Sequence, residues 1–241
     1  MWHGMRWITW QLVGGVLLIA GLGIPASQAE PVGGPSALLK KGQWSFGLGA
    51  GGVLGRSAKG AGDPREGLYS VEHFRGYGLT DWLSVYGKVG WAYLRVTDST
   101  ALNNVNDFGS NLLLGAQLKN RFWRSVRNEW EWDGSVQYLW VGVAHRRGKN
   151  QAQWQEWQFA TSVAKPFGRL KPYVGLKTSL VNLDFHLRRG GKDAADGAYK
   201  QDGWIGPMFG TDYAIGEDTV VNVETAYING ADVSVAVGRN F

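Results

Sequence analysis

The segment Leu83-Ser84-Val85-Tyr86-Gly87-Lys88-Val89-Gly90-Trp91-Ala92-Tyr93 decides the fold, because its apolar side chains recur at odd positions. Successive side chains of a β-strand point to opposite faces, so a period of two predicts a strand with one apolar face. The other face combines small residues with a charge, whereas the solvated face of a soluble sandwich would carry long polar side chains. Small residues with interspersed charges fit the interior of a narrow barrel whose apolar face meets lipid.

The same alternation recurs in residues 43–50, 111–119, 130–140 and 156–163. Segments of about ten residues match the length of a tilted strand that crosses a bilayer. Short polar or glycine-containing breaks fall near 80–81, 124, 168 and 217–218, and longer polar segments span 56–66, 97–107, 145–153 and 188–202. One short and one long connection per strand pair is typical of an up-and-down barrel with periplasmic turns and extracellular loops.

These patterns predict an all-β, up-and-down antiparallel transmembrane β-barrel of ten strands. The expected strands are 42–53, 67–79, 82–97, 108–120, 129–145, 153–166, 170–187, 203–216, 219–229 and 231–241. Eight strands is the alternative, since His73 and Arg75 share a parity with Val71 and the final hairpin is short. In the seventh strand the apolar parity switches at Leu183, which a bulge or a projection above the membrane would explain.

Composition excludes several other classes of protein. Gly contributes 36 of the 241 residues and Trp contributes 13, a combination that fits a curved sheet with interfacial aromatic rings. The mean hydropathy of −0.22 is too low for a polytopic helical membrane protein. The chain has no Cys, which excludes disulfides and thiolate metal sites. A net charge of +5 without a long basic run argues against nucleic acid as a partner.

The N-terminus has the layout of a secretory signal. Arg6 precedes an apolar stretch over 12–24, Pro25 ends that stretch, and Ser27-Gln28-Ala29 supplies small residues for cleavage. We therefore expect a signal peptide over 1–29, a flexible lead-in over 30–41 and the barrel over 42–241.

The C-terminus resembles the end of Gram-negative outer-membrane barrels, in which a final strand alternates apolar residues and ends in Phe. Arg239 departs from that pattern. The passages 77–87 and 171–177 also look like the strand–turn–strand segments of small, porin-like outer-membrane barrels of the OmpA/OmpX or opacity type. The resemblance implies a bacterial outer-membrane location and recognition by the barrel-assembly machinery through Val233, Val235, Val237 and Phe241.

Nine charged residues are expected to face the lumen: Glu72, Lys88, Lys119, Glu131, Asp133, Glu156, Lys177, Asp212 and Glu224. They could line a polar conduit, but a ten-stranded barrel is close to the size at which side chains fill the interior. We therefore favour buried pairs that brace the barrel, with Lys119 or Lys177 as the expected partner of Glu131 and Asp133.

The predicted extracellular loops carry basic residues that could contact lipopolysaccharide phosphates or simply be solvated: Arg146, Arg147, Lys149, Arg188, Arg189 and Lys192. His145 and the pair Asp184 and His186 also fall near this rim. Some outer-membrane barrel enzymes, such as lipid A deacylases and omptin proteases, use a rim His. No motif fixes a Ser partner here, and no spacing indicates a metal or cofactor site.

These observations predict a small, monomeric outer-membrane barrel, not an enzyme, with a structural, adhesive or surface-interaction role and a largely plugged interior. A narrow channel for ions or small solutes is the alternative, and an enzyme with a site at the extracellular rim is a distant third. Outer-membrane lipid and lipopolysaccharide are the expected partners.

The mature protein is expected to begin at Glu30, because the small residues at 27 and 29 favour cleavage after Ala29. N-terminal sequencing of the protein extracted from outer membranes measures this directly. Retention of Met1 or Trp2 in that material would contradict the signal peptide.

Overall fold

The computed structural model describes residues 38–57, 65–97, 105–127, 129–142, 151–189, 192–200 and 204–241. Within these ranges every regular element is a β-strand, and no helix is long and apolar enough to cross a membrane. The strands are β1 Trp44–Ser57, β2 Arg65–Thr80, β3 Leu83–Thr97, β4 Val105–Arg124, β5 Glu131–Gly142, β6 Gln151–Ala164, β7 Leu170–Arg189, β8 Lys192–Lys200, β9 Trp204–Ile215, β10 Thr219–Tyr227 and β11 Ala231–Asn240.

The strands form one closed antiparallel barrel. From β1 to β7, each strand pairs with the next one in the sequence. β7 then pairs with β9, β9 with β10, and β10 with β11. β11 pairs with β1, from Asn240 opposite Ser45 to Ala231 opposite Leu54, and so closes the barrel. The predicted ten-stranded, up-and-down barrel is therefore confirmed, and the eight-stranded alternative is wrong. The predicted signal peptide over 1–29 lies outside the described residues.

The predicted loop over 188–202 is partly wrong, because β7 runs on to Arg189 and Lys192–Lys200 forms β8. β8 pairs with the outer part of β7, where Asn182 lies opposite Lys200, and β9 pairs with the remainder of β7. Together β8 and β9 form the eighth strand of the barrel. The sequence KDAADGAYK is poor in β-branched residues, so its composition does not predict a strand, and pairing with β7 determines its conformation.

The ends of the other predicted loops also belong to strands. Arg56 belongs to β1, residues 65–66 to β2, 105–107 to β4 and 151–153 to β6. β5 ends at Gly142, and residues 143–145 of the predicted fifth strand lie outside the described residues.

The two faces of the sheet differ as the alternation predicts. In β5, Glu131, Asp133, Ser135 and Gln137 are buried inside the barrel, and the intervening side chains point outward. Large apolar side chains remain exposed on every side, among them Leu48, Val71, Trp91, Leu114, Leu118, Trp157, Phe159, Leu176, Ile205, Phe209, Val223 and Val237. Such an extensive apolar outer surface is the architecture of outer-membrane barrels, whose outer band meets lipid.

The barrel has two distinct ends. The turn end carries the short connections at 81–82, 125–130, 165–169 and 216–218 together with residues 38–43 and Phe241. The loop end carries the other connections, including the β7–β8 hairpin. Aromatic side chains are exposed around the turn end, namely Trp44, Trp82, Trp123, Trp130, Phe167 and Phe241.

The two strands with ambiguous parity, β2 and β7, keep the alternation of their faces at the positions in question. In β2, Ser70 and Glu72 point inward, so His73 and Arg75 lie on the outer face. In β7, alternation continues through Leu183, and its pairing with β6 and β9 contains no register shift. A bulge at Leu183 is therefore not the cause of the switch, because the apolar residue there reflects a change in the chemistry of the interior. A register shift of β7 against β8 lies further along the strand, between Leu187 and Arg188.

Glycine makes room inside the barrel for large inward side chains. A Cβ on Gly76 would lie 2.3 Å from the ring of Tyr86, and a Cβ on Gly210 would lie 2.2 Å from the ring of Tyr173. These aromatic rings therefore occupy space that any other residue at the facing position would fill.

Leu114→Arg is expected to lower the free energy of unfolding by about 2–4 kcal/mol, because it places a charge on the outer apolar band. Leu114 is 43% exposed in the middle of β4. The measurement is a denaturant titration in lipid vesicles.

Val126→Arg is the matched control, because Val126 lies in a turn and is 98% exposed. The same new charge should cost almost nothing there. Equal losses for the two variants would contradict the assignment of the outer face to lipid.

Candidate functional site

The lumen is densely filled with polar side chains. All nine charged residues that the sequence places there are at most 7% exposed: Glu72, Lys88, Lys119, Glu131, Asp133, Glu156, Lys177, Asp212 and Glu224. Their burial requires partners, because an unpaired charge in this environment is strongly unfavourable.

Arg56 crosses the lumen and is fully buried. Its Nη1 donates to Glu156 Oε1 at 2.7 Å on β6, and its Nη2 donates to Asp232 Oδ2 at 2.7 Å on β11. β6 lies opposite β1 in the ring, five neighbours away in either direction. We call Arg56, Glu156 and Asp232 the cross-lumen bridge.

The sequence prediction missed Arg56 and Asp232 as lumen charges. The inward-facing Val53 is at an odd position and Arg56 at an even one, so strict alternation would place Arg56 on the outer face. The pairing of β1 with β2, however, shifts by one residue between Trp44 and Arg56. Such a shift redirects a side chain to the other face. Asp232 alternates in phase with the inward Ser234, so the period of two in the last strand could have identified it.

Further polar groups surround the cross-lumen bridge. Lys177 Nζ lies 3.7 Å from Asp232 Oδ2 and 3.5 Å from Glu224 Oε1. Trp154 Nε1 donates to Glu156 Oε2 at 3.1 Å, and the hydroxyl of Tyr173 donates to Glu224 Oε2 at 2.9 Å. The carboxylates of the bridge therefore take part in one network that includes two cations.

An apolar layer lies inside the barrel beside the bridge, towards the loop end. It contains side chains from β1 to β7 that are almost fully buried: Val53, Leu68, Ala92, Leu94, Leu113, Leu139, Val141, Ala152, Trp154, Val181 and Leu183. This layer explains why the inward positions of β7 change from Lys177 and Ser179 to Val181 and Leu183.

The turn-end half of the lumen is polar and contains a cavity of about 60 Å³. Its lining includes Glu72, Tyr86, Lys119 and Asn222. Glu72 Oε2, the Tyr86 hydroxyl and Asn222 Oδ1 have no hydrogen-bond partner among the residues that the structure describes. A polar cavity of this size holds a few water molecules, and we infer that water satisfies these atoms.

A second charged cluster lies inside the barrel near the turn end. Arg121 contacts Glu131 Oε2 and Asp133 Oδ1 at 3.0 Å each, and Lys171 also pairs with Glu131. The expected partners of Glu131, Lys119 and Lys177, are therefore wrong. Arg121 lies across from Asp133 in the β4–β5 register, which brings its guanidinium to these carboxylates.

Residues 38–43 turn back against the turn end of the barrel. Leu39 is buried and its backbone N–H donates to Ser84 Oγ at 2.9 Å. The N–H of Lys41 donates to Asp81 Oδ1 at 3.0 Å. The last residues of the predicted lead-in are thus attached to the first short turn.

Of the residues predicted at the extracellular rim, only some belong to the described part of the chain. Arg146, Arg147, Lys149 and His145 lie outside the described residues. The backbones of Arg188, Arg189 and His186 belong to β7 and that of Lys192 to β8, and Asp184 is exposed. Among the described residues, no three His, Asp or Glu side chains are grouped closely enough to hold a metal ion.

The predicted assembly signal lies on the strand that closes the barrel. Val233 and Val237 are exposed on the outer face of β11, in phase with Val235. Phe241 is 65% exposed and packs edge-on against Phe46 of β1, with 5.6 Å between the ring centroids.

No protein-family model matches the chain, and no curated protein is similar to it. Several solved structures are similar. The outer membrane protease OmpT from Escherichia coli is 8% identical, with a TM-score of 0.46 over 83% of this chain and 96% of OmpT. The outer membrane protein OprG from Pseudomonas aeruginosa is 9% identical, with a TM-score of 0.44 over 85% of this chain and 98% of OprG.

The translocator domain of the autotransporter NalP from Neisseria meningitidis is 11% identical, with a TM-score of 0.42 over 96% of this chain and 95% of that domain. OmpT is a protease and the NalP domain is a translocator, whereas OprG is named only as an outer membrane protein. At such low identity and TM-score, none of those roles is transferred to this chain.

Arg56→Met is expected to lower the free energy of unfolding by about 3–5 kcal/mol, because it removes the cation of a buried ionic network. A denaturant titration in lipid vesicles measures the loss. Adding Glu156→Gln should cost less than the sum of the two single changes, since the residues interact directly.

Arg124→Met is the matched control, because Arg124 pairs with Glu131 from a side chain that is 58% exposed. An exposed pair of this kind contributes about 0–1 kcal/mol. If both variants lost the same stability, the cross-lumen bridge would not be a bracing element.

Proposed function

We propose that this chain is a bacterial outer-membrane β-barrel with a structural, adhesive or surface-interaction role and a closed interior. The observation that carries the proposal is the cross-lumen bridge together with the apolar layer beside it. Both lie inside the barrel, and their side chains are almost completely buried. A ten-stranded barrel is small enough for side chains to fill it in this way.

The outer face supports the membrane location. Exposed Leu, Val, Phe and Trp side chains cover the strands, and aromatic rings lie around the turn end. We assign the turn end to the periplasm, because outer-membrane barrels have short periplasmic turns and longer extracellular loops.

A surface role is favoured by the β7–β8 hairpin. Among the described strands β8 pairs only with β7, so its other edge presents backbone donors and acceptors at the loop end. An exposed edge can pair with a strand of another molecule. Basic residues of this hairpin and of the preceding loop would suit contacts with lipopolysaccharide phosphates.

A narrow channel is the second candidate, favoured by the polar cavity in the turn-end half of the lumen. For ions to pass, the apolar layer and Arg56 would have to move. We also propose that the chain is not an enzyme, since Asp184 is exposed on the outer face and the sequence supplies no nucleophile motif beside His186.

Single-channel recordings in planar bilayers test the closed interior. The wild-type protein should produce no conductance steps, because bridge and apolar layer fill the lumen. Arg56→Ser combined with Trp154→Gly and Leu183→Ala should produce them, since these changes remove the bridge cation and two large side chains of the apolar layer.

The triple variant shows that insertion and recording work under the conditions used. Val126→Arg, altered only in an exposed turn, is the control for a change outside the lumen and should stay silent. If the wild-type protein produced conductance steps as large as those of the triple variant, the closed interior would be contradicted and a channel would be supported.

A further inference from the structure

Two arginines point outward from the barrel wall near the turn end. Arg75 on β2 and Arg239 on β11 are both exposed, and Phe46 on β1 lies between them. Arg239 is directly opposite Phe46 in the strand register, and the Cζ of Arg75 lies 5.2 Å from the Phe46 ring centroid. The Cζ of Arg239 lies 5.2 Å from the centroid of Phe241, whose ring contacts Phe46.

Within the described ranges of the chain, neither guanidinium has an acidic partner. Among the described residues no carboxylate forms an ion pair with Arg75 or Arg239, whereas Arg56 and Arg121 inside the barrel each contact two. Arg75 uses its Nε to donate to His73 Nε2 at 3.3 Å. Its two terminal nitrogens donate to no other described residue. The two cations therefore lack a counter-ion from the part of the chain that the structure describes.

Along the barrel axis, Arg75 and Arg239 lie where the aromatic band at the turn end meets the apolar band of the outer surface. Tyr77, next outward on β2, packs against Trp44 in the aromatic band at the turn end. In the other direction lie the exposed apolar side chains of Leu48, Val71 and Val237. An arginine facing hydrocarbon is costly, and the cost falls when its head group reaches the interface and meets an anion there.

We propose that Arg75 and Arg239 bind the phosphate of an anionic phospholipid in the leaflet at the turn end. The two residues lie on strands separated only by β1, about 9–10 Å apart at the usual strand spacing, which both long side chains can bridge together. Arginine suits this ligand because its planar fork of donors matches phosphate oxygens. Leu48 and Val237 provide an apolar surface for the acyl chains.

The surface beside Arg75 has room for a headgroup. Gly87 is the cross-strand partner of Arg75, is exposed, and would meet no atom within 4 Å if it carried a Cβ. The next residue across is Ala116, also exposed. The inference rests on the membrane location proposed above and adds a specific lipid contact to it.

Native mass spectrometry of the full mature chain in detergent tests the site, with phosphatidylglycerol as the probe and phosphatidylcholine of the same acyl composition as its comparison. The wild-type barrel is expected to retain phosphatidylglycerol in preference to phosphatidylcholine. Arg75→Gln and Arg239→Gln should each weaken that retention about fivefold, and the double variant more. Arg75→Lys with Arg239→Lys should fall between, because it keeps the charge and loses the planar fork.

Arg169→Gln is the matched control, since Arg169 is an exposed cation in a turn at the same end of the barrel. It should retain phosphatidylglycerol like the wild type. Heat-modifiable electrophoretic mobility verifies folding of each variant, and the two single variants keep the test valid if the double variant does not fold.

Unchanged retention in the folded Arg75 and Arg239 variants would overturn the site. So would equal loss in Arg169→Gln, or a wild-type barrel without preference between the two lipids. Failure of the wild-type chain to insert into vesicles as a folded barrel would instead contradict the proposed membrane location.

Discussion

The pairing of β11 with β1 is the constraint on which the rest of this structure depends. It gives both terminal strands of the barrel a hydrogen-bonding partner, so that the ladder of the barrel wall closes, while β8 at the loop end keeps an edge that no described strand pairs. In hydrocarbon, each unpaired backbone group costs several kcal/mol, and only closed barrels let strands span a bilayer. Closure also fixes which parity faces outward, and hence where every apolar and polar side chain of the barrel lies.

Closure at ten strands creates a narrow interior, and that width determines its chemistry. A wider barrel would hold a water column in which charges are solvated separately. Here cations and carboxylates from opposite walls are near enough to meet, as Arg56 on β1 meets Glu156 on β6. The interior therefore divides into an apolar layer, a buried ionic network and a small polar cavity, each defined by the side chains that reach across.

Much of this architecture could be predicted from the period of two, because alternation along a strand is a local property. Apart from β8, which lies in a predicted loop, the strand bounds differ from the predicted ones by a few residues, and the predicted parity of β5 is confirmed. The cross-lumen bridge could not be read in the same way, because a one-residue register shift turns Arg56 inward. The partner of Glu131 depends on which residue of β4 lies opposite β5, and β8 forms because β7 offers it a ladder, so neither follows from local composition.

The cross-lumen bridge also has a consequence for the order of folding. Arg56 is 100 residues from Glu156 and 176 residues from Asp232 along the chain, so its two contacts join the first strand to the middle and the end of the barrel. Contacts between such distant residues form late, since the entropy of closing long loops must be overcome first. In a partly assembled sheet, Arg56, Glu156 and Asp232 would not all be in contact. The complete bridge therefore forms only when β11 has paired with β1, because Asp232 lies on this last strand.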